Sequence, residues 1–118
     1  GWIDAEGATH EQVQDVVCSD GLSVDPATKR CPDNGASVDT ATCETLGETG
    51  AVELMAAFED PTYDPSQGAF YYVRVLQNPT CRWSTYDAIR LGREPDPRVP
   101  ATIRERAWSS PIWIDPQD

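Results

Sequence analysis

Residues 68–115 read GAFYYVRVLQNPTCRWSTYDAIRLGREPDPRVPATIRERAWSSPIWID, and their pattern decides the fold. Two strand-like runs, AFYYVRVLQ at 69–77 and AWSSPIWI at 107–114, bracket an excursion of about thirty residues. In the first run Phe70, Tyr72, Arg74 and Leu76 share one face, and Ala69, Tyr71, Val73 and Val75 share the other. Both faces are largely apolar, which predicts a central strand. The second run contains Pro111, which has no amide hydrogen and marks an edge position or a bulge. The runs therefore read as neighbouring strands of a β-domain with a specialised loop between them.

Inside the excursion the alternation ends at Asn78-Pro79. Ser84 or Thr85 can cap a short helix through TYDAIRLG, with Gly92 as its stop. REPDPRVP carries three prolines in eight residues and excludes regular structure. ATIRERA reads as a helical turn or as the approach to the last strand. Upstream, AVELMAAFED is apolar enough for a strand or a short helix, and periodicity alone leaves both open. The turn segment DPTYDPSQG that follows favours a hairpin, so residues 51–59 read as a strand paired with the run at 69–77. Val13, Val16 and Val17 mark a further strand, residues 19–37 have loop composition, and SVDTATCETL reads as an edge strand.

The expected fold is mainly β: a single β-rich domain over residues 1–118, built as an antiparallel β-sandwich of immunoglobulin-like size with one or two short helices in its loops. Val16, Leu54, Phe58, Phe70, Tyr72, Val75, Trp108 and Ile112 are expected in the core. Trp108 and Trp113 read as core or interface residues rather than a sugar-stacking platform.

Charge narrows the partners. Twenty acidic residues against nine basic ones give a net charge of −11. Phosphate backbones and anionic membrane surfaces are held by clustered Lys and Arg, so neither is an expected partner. No apolar run is long enough to span a membrane as a helix. The opening GWIDAEG shows no signal-peptide pattern, as a mature, processed or excised piece would.

The cysteines are Cys18, Cys31, Cys43 and Cys81, with no CxxC pair, and His10 is the only histidine. That spacing argues against structural zinc and for two disulfides made in an oxidising, extracellular or periplasmic compartment. Three pairings can be drawn. Cys18–Cys31, closing a polar loop, and Cys43–Cys81, tying the middle of the chain to the excursion, are favoured.

No complete catalytic or metal site is legible. His10 lies among polar residues, and no nucleophile-elbow pattern accompanies it. A calcium reading takes Asp60 and Asp64 as weak candidates, with Asp33, Asn34 and Asp39 in a second loop. Ordinary turn chemistry explains these residues better, because neither loop has EF-hand spacing. The most suggestive cluster is Arg82, Trp83, Tyr86 and Asp87, a binding or interface candidate in which Arg beside aromatics can meet an anionic or planar group. The plainer alternative packs Trp83 and Tyr86 onto the sheet and pairs Arg82 with a carboxylate.

AFYYVRVLQNPTCRWSTYDAIRLG followed by VPATIRERAWSSPIWI resembles the C-terminal end of the domain of unknown function 3604 family. GWIDAEG, DNGASVD and DPTYDPSQGAFYYV are also similar to it, so the resemblance covers nearly the whole chain. PTCRWSTYDA and ERAWSSPIWI are its most specific stretches. The resemblance implies secreted or periplasmic proteins similar to metal-dependent hydrolases of the polymerase-and-histidinol-phosphatase type. It also implies a longer N-terminal domain that carries the metal-binding His and Asp residues. The divalent metal belongs to that domain, no cofactor is expected in this chain, and no catalytic residue carries over to it. The expected role is a non-catalytic module packing against a larger catalytic polypeptide; the alternative is an independent secreted binding or structural module.

Overall fold

The computed structural model describes residues 1–117. Its backbone is a long antiparallel ribbon. One side of the ribbon is β5 (Gly68–Tyr71), β6 (Arg74–Leu76) and β7 (Thr80–Cys81); the other is β8 (Thr102–Ile103), β9 (Arg106–Trp108) and β10 (Ile112–Ile114). β5 pairs with β10, β6 with β9 and β7 with β8, so the two runs flanking the excursion are neighbours throughout. Two bulges divide the ribbon. Between the first two ladders, residues 72–73 face residues 109–111; between the next two, residues 77–79 face residues 104–105. Each bulge contains a proline, Pro111 or Pro79, where a ladder amide is not needed. At the first, the amide of Val73 donates to the Ser109 hydroxyl at 2.9 Å in place of a backbone carbonyl.

At the ribbon's base β1 (Trp2–Ile3) and β2 (Thr9–His10) extend β5 into a four-stranded sheet, ordered β10-β5-β1-β2. A separate hairpin, β3 (Ser37–Val38) with β4 (Thr45–Leu46), occupies the stretch expected to be an edge strand. The disulfides join Cys18 to Cys31 and Cys43 to Cys81, the pairing favoured by the sequence. Polar links tie the loops to the second bulge. The Asn34 side-chain amide donates to Asn78 Oδ1 at 3.0 Å, and that of Asn78 donates to the Thr49 carbonyl at 2.9 Å. The Asp20 carboxylate accepts the Gly50 amide at 2.8 Å. Gly50 must be glycine here: its φ is +107° and an added Cβ would lie 2.6 Å from the Asn78 side chain.

Among the described residues the protein is mainly β with one short helix, and its sheets are small and unclosed, so the expected sandwich is not confirmed by them. The strand expected over residues 51–59 is absent. β5 could not accept it, because β1 and β10 already occupy both of its edges. For the same reason the central position predicted for the whole run at 69–77 holds only at β5; β6 and β7 sit in two-stranded ladders. No strand forms around Val13, Val16 and Val17.

The expected core does not form. Val16, Leu54, Phe58, Tyr72, Val75, Trp108 and Ile112 are exposed, and Phe70 is half-buried. The buried residues are small: Cys18, Ala69, Cys81, Thr85 and Ala88. A strand in a two-stranded ladder leaves both faces to solvent unless another layer covers them. The molecule extends 64 × 31 × 24 Å with a radius of gyration of 19.1 Å. A compact chain of this length would have about 13–14 Å. Its accessible surface is 9264 Å², against roughly 6,300 Å² for a compact monomer of this mass.

Candidate functional site

The cluster singled out in the sequence sits where the ribbon's first side turns into helix α1 (Trp83–Arg90). Arg82 fixes this transition through its backbone. Its amide donates to the Ala101 carbonyl at 2.9 Å, and its own carbonyl accepts the amides of Thr85 and Tyr86 at 3.0 and 3.2 Å. Arg82 is therefore the N-cap residue, in extended conformation and with no side-chain cap. Neither Ser84 nor Thr85 caps the helix as expected. The β7–β8 pairing brings Ala101 against the helix, and the Thr85 hydroxyl donates to its carbonyl at 2.7 Å. Thr85 is 1% exposed and is the pin that holds α1 to the ribbon.

The helix stops where the sequence placed its end. Gly92 has φ +58°; its amide donates to the Ile89 carbonyl at 3.1 Å, and that of Arg93 donates to the Ala88 carbonyl at 2.9 Å. These two bonds are the Schellman closure that favours glycine at this point.

Thr85 and Ala88, three residues apart, form the buried face of α1. Helical spacing puts Trp83, Tyr86, Asp87 and Arg90 on the opposite face, and all four are exposed, Trp83 to 74%. The structure thus brings three of the four candidates onto one helix face with Arg82 at its start. Trp83 and Tyr86 do not pack onto the sheet, and Arg82 has no carboxylate partner among the described residues. Its Nε is buried without an acceptor there. Such an N–H costs free energy until an acceptor reaches it. Arg90 on this helix face was not in the sequence-derived cluster, although its spacing of four from Tyr86 was the available signal.

The acidic candidates serve turns. Asp60 Oδ1 accepts the Thr62 amide and hydroxyl at 2.9 and 2.7 Å, and Oδ2 accepts the Tyr71 hydroxyl at 2.8 Å. These bonds, led by the Thr62 hydroxyl, hold the Asp60 carboxyl below its ordinary range. Burial, aided by the Asp60 contact, pushes the Tyr71 phenol up to about 12. Asp64 closes the next turn through the Ser66 hydroxyl and amide, which lower its pKa in that order. Asp33 and Asp39 cap the amides of Gly35 and Ala41.

His10 stacks on Trp2 with ring centroids 4.9 Å apart, and its Nε2 lies 2.6 Å from Asp4 Oδ2. Asp4 also accepts the Ala8 and Glu6 amides, so this pair closes the β1–β2 hairpin. No cluster of three or more His, Cys, Asp or Glu able to hold a metal occurs among the described residues. The donor set does not fit the metal cluster that the family resemblance implies for a catalytic domain. What the α1 face presents to solvent is a set of aromatic rings with the guanidinium of Arg90 beside them.

A family model described as a protein of unknown function, DUF3604, matches residues 1–116. The chain belongs to the DUF3604 family. The match spans both the sheet at the base and the α1 end of this DUF3604 chain. No curated protein and no solved structure matches. Among the described residues no helix is long and apolar enough to cross a membrane, and the two disulfides fit an oxidising environment.

Proposed function

We propose that this chain is a non-catalytic β-module that packs against a larger polypeptide, the catalytic body of a metal-dependent, phosphoesterase-like hydrolase, outside the cell or in the periplasm. The observation that carries the packing is the surface. The accessible area of 9264 Å² exceeds that of a compact monomer by about 2,900 Å². A standard protein interface takes only about 800 Å² from each partner. The excess is rich in bulky apolar groups, with Trp83 and Trp113 exposed to 74% and 71%. Apolar surface on this scale marks interaction sites.

The α1 face is the contact that the local chemistry favours. Trp, Tyr and Arg are the residues that dominate interface energetics, and α1 presents Trp83, Tyr86 and Arg90 to solvent together. In that assembly the partner provides the second layer that a sandwich requires. The hydrolase part of the reading rests on the family resemblance alone.

The test is purification from the native source without denaturant, followed by intact-mass analysis. The expected result is a chain held in complex with, or continuous with, a polypeptide rich in His and Asp. Recovery of a free 118-residue species that is monomeric and silent to a hydrophobic dye refutes the reading. That outcome favours the independent secreted module, for which the two disulfides are the supporting observation.

A further inference from the structure

The stretch between Gly50 and Asp60 is anchored at both ends and bonded to nothing in between. Gly50 is held by the Asp20 carboxylate and Asp60 by the Tyr71 hydroxyl. Residues 51–59 form neither helix nor strand, all of them are exposed, and none takes part in a hydrogen bond among the described residues. An endopeptidase holds its substrate as an extended strand and supplies the backbone hydrogen bonds itself, so a run of this kind is what it can seize. The side chains select the enzyme class. Leu54, Met55 and Phe58 stand in the run, with Met55 85% exposed, while no Lys or Arg occurs between Arg30 and Arg74. A trypsin-like enzyme has no bond to cut here; one that prefers a large apolar residue has Leu54, Met55 and Phe58 to choose from. The most exposed aromatic residues elsewhere sit in hydrogen-bonded structure, Trp83 and Tyr86 in α1 and Trp108 and Trp113 in paired strands.

We propose that residues 51–59 are a site of limited proteolysis for an endopeptidase of apolar primary specificity, and that the cut chain persists as two pieces joined by Cys43–Cys81. In the cut, water adds across one peptide bond: its oxygen goes to the carbonyl carbon, the C–N bond breaks, and the nitrogen leaves as an amine. What holds the pieces together lies outside the run. Cys43 falls in the first piece and Cys81 in the second, whereas Cys18–Cys31 lies wholly in the first. β1 of the first piece pairs with β5 of the second. Asn78 of the second bonds Asn34 and Thr49 of the first. The cut also changes what the longer bridge does. In the intact chain Cys43–Cys81 closes a loop that contains residues 51–59; afterwards that loop is open, and the bridge alone joins the pieces covalently. The unfolded state regains the freedom that the closed loop denied it, so the cut molecule is less stable than the intact one. Its integrity then depends on an oxidising compartment. No residue of α1 takes part, so the inference stands apart from the partner proposed above.

The experiment is limited digestion of the purified chain with chymotrypsin, read by mass spectrometry and by gels run with and without reductant. The expected first product is a single species heavier by one water, which reductant splits into two pieces whose new ends lie within residues 51–59. Its Tm should fall below that of the intact chain. Trypsin should leave the segment whole. Replacing the apolar residues together, as Leu54→Ser, Met55→Ser and Phe58→Ser, should slow the first cut by about tenfold or more. The same variant should keep the parent's Tm before digestion, because the segment carries no hydrogen bond of the fold. A first cut beside Trp83, Trp108 or Trp113 overturns the proposal, as do pieces that part without reductant or a triple variant cut as fast as the parent. A chain that resists chymotrypsin at an enzyme ratio that digests it fully in urea also overturns it.

Discussion

The Cys43–Cys81 bridge should be worth more to this protein than Cys18–Cys31. It spans 38 residues and ties the turn before β4 to the residue before Arg82, while Cys18–Cys31 spans 13. In the chain-entropy model those spacings correspond to about 4 and about 3 kcal/mol respectively. The longer link also joins the loop hairpin to the ribbon, where β3 lies beside β7 in this small-cored structure. Removing both cysteines as Cys43→Ala and Cys81→Ala should therefore cost about 4 kcal/mol, a large part of the 5–15 kcal/mol typical of a domain. The assay is urea unfolding followed by tryptophan fluorescence, with the Cys18→Ala/Cys31→Ala double variant as comparison. A loss below about 1 kcal/mol for the Cys43/Cys81 variant, or the reverse order of the two, would refute the reasoning.

Thr85→Val keeps the buried shape and deletes the hydroxyl that bonds Ala101; it should cost about 1 kcal/mol, read as a fall of roughly 4 °C in Tm. Gly92→Ala places a Cβ at φ +58° and should cost about 1 kcal/mol by denaturant unfolding, with no steric neighbour to add to it. Tyr71, with its pKa raised to about 12, contributes stability that is complete below the ordinary phenol value near 10 and is lost as pH rises through about 12. Asp60, lowered, contributes stability present above its ordinary carboxyl value and lost as pH falls through the lower folded one. Phenolate absorbance should show a tyrosine titrating near 12, and Asp60→Asn should lower that step. Trp83→Ala should leave the unfolding free energy within about 0.5 kcal/mol of the parent's, because the ring is 74% exposed, yet weaken retention of the proposed partner.

The ribbon was legible because its signals are local. Alternation over 69–77 and the position of Pro111 are properties of the runs themselves; the register was not legible, because a bulge shifts it by one residue between the Tyr71–Ile112 and Leu76–Arg106 pairs. The helix was legible for the same reason: Gly92 stops it by its own backbone preference. Its start was not, because the choice of Arg82 over Ser84 or Thr85 depends on Ala101, far along the chain. The expected core was not legible either. Alternation tells which residues could be buried together, but burial needs a second layer. The fate of Leu54 and Phe58 was decided by Trp2–Ile3 and Ile112–Ile114 taking both edges of β5. Arg82, Trp83, Tyr86 and Asp87 were found together because they lie within about one helical turn; their exposure was beyond what spacing can tell.

These two outcomes have one cause. A chain held by two disulfides, a Thr85–Ala101 pin and the Asn34–Asn78–Thr49 links does not need a large core to fix its backbone. It can leave its large side chains outside. The cross-links fix the base sheet, the loop hairpin and the root of α1, while residues 51–59 and the outer helix face remain uncommitted. A polar, cross-linked frame with apolar residues on the surface is the reverse of an ordinary small domain, where core burial leads and cross-links supplement it. Covering those surfaces should therefore add stability without reorganising the frame. Partner binding at α1 should raise Tm, and the rise should grow with partner concentration above the Kd.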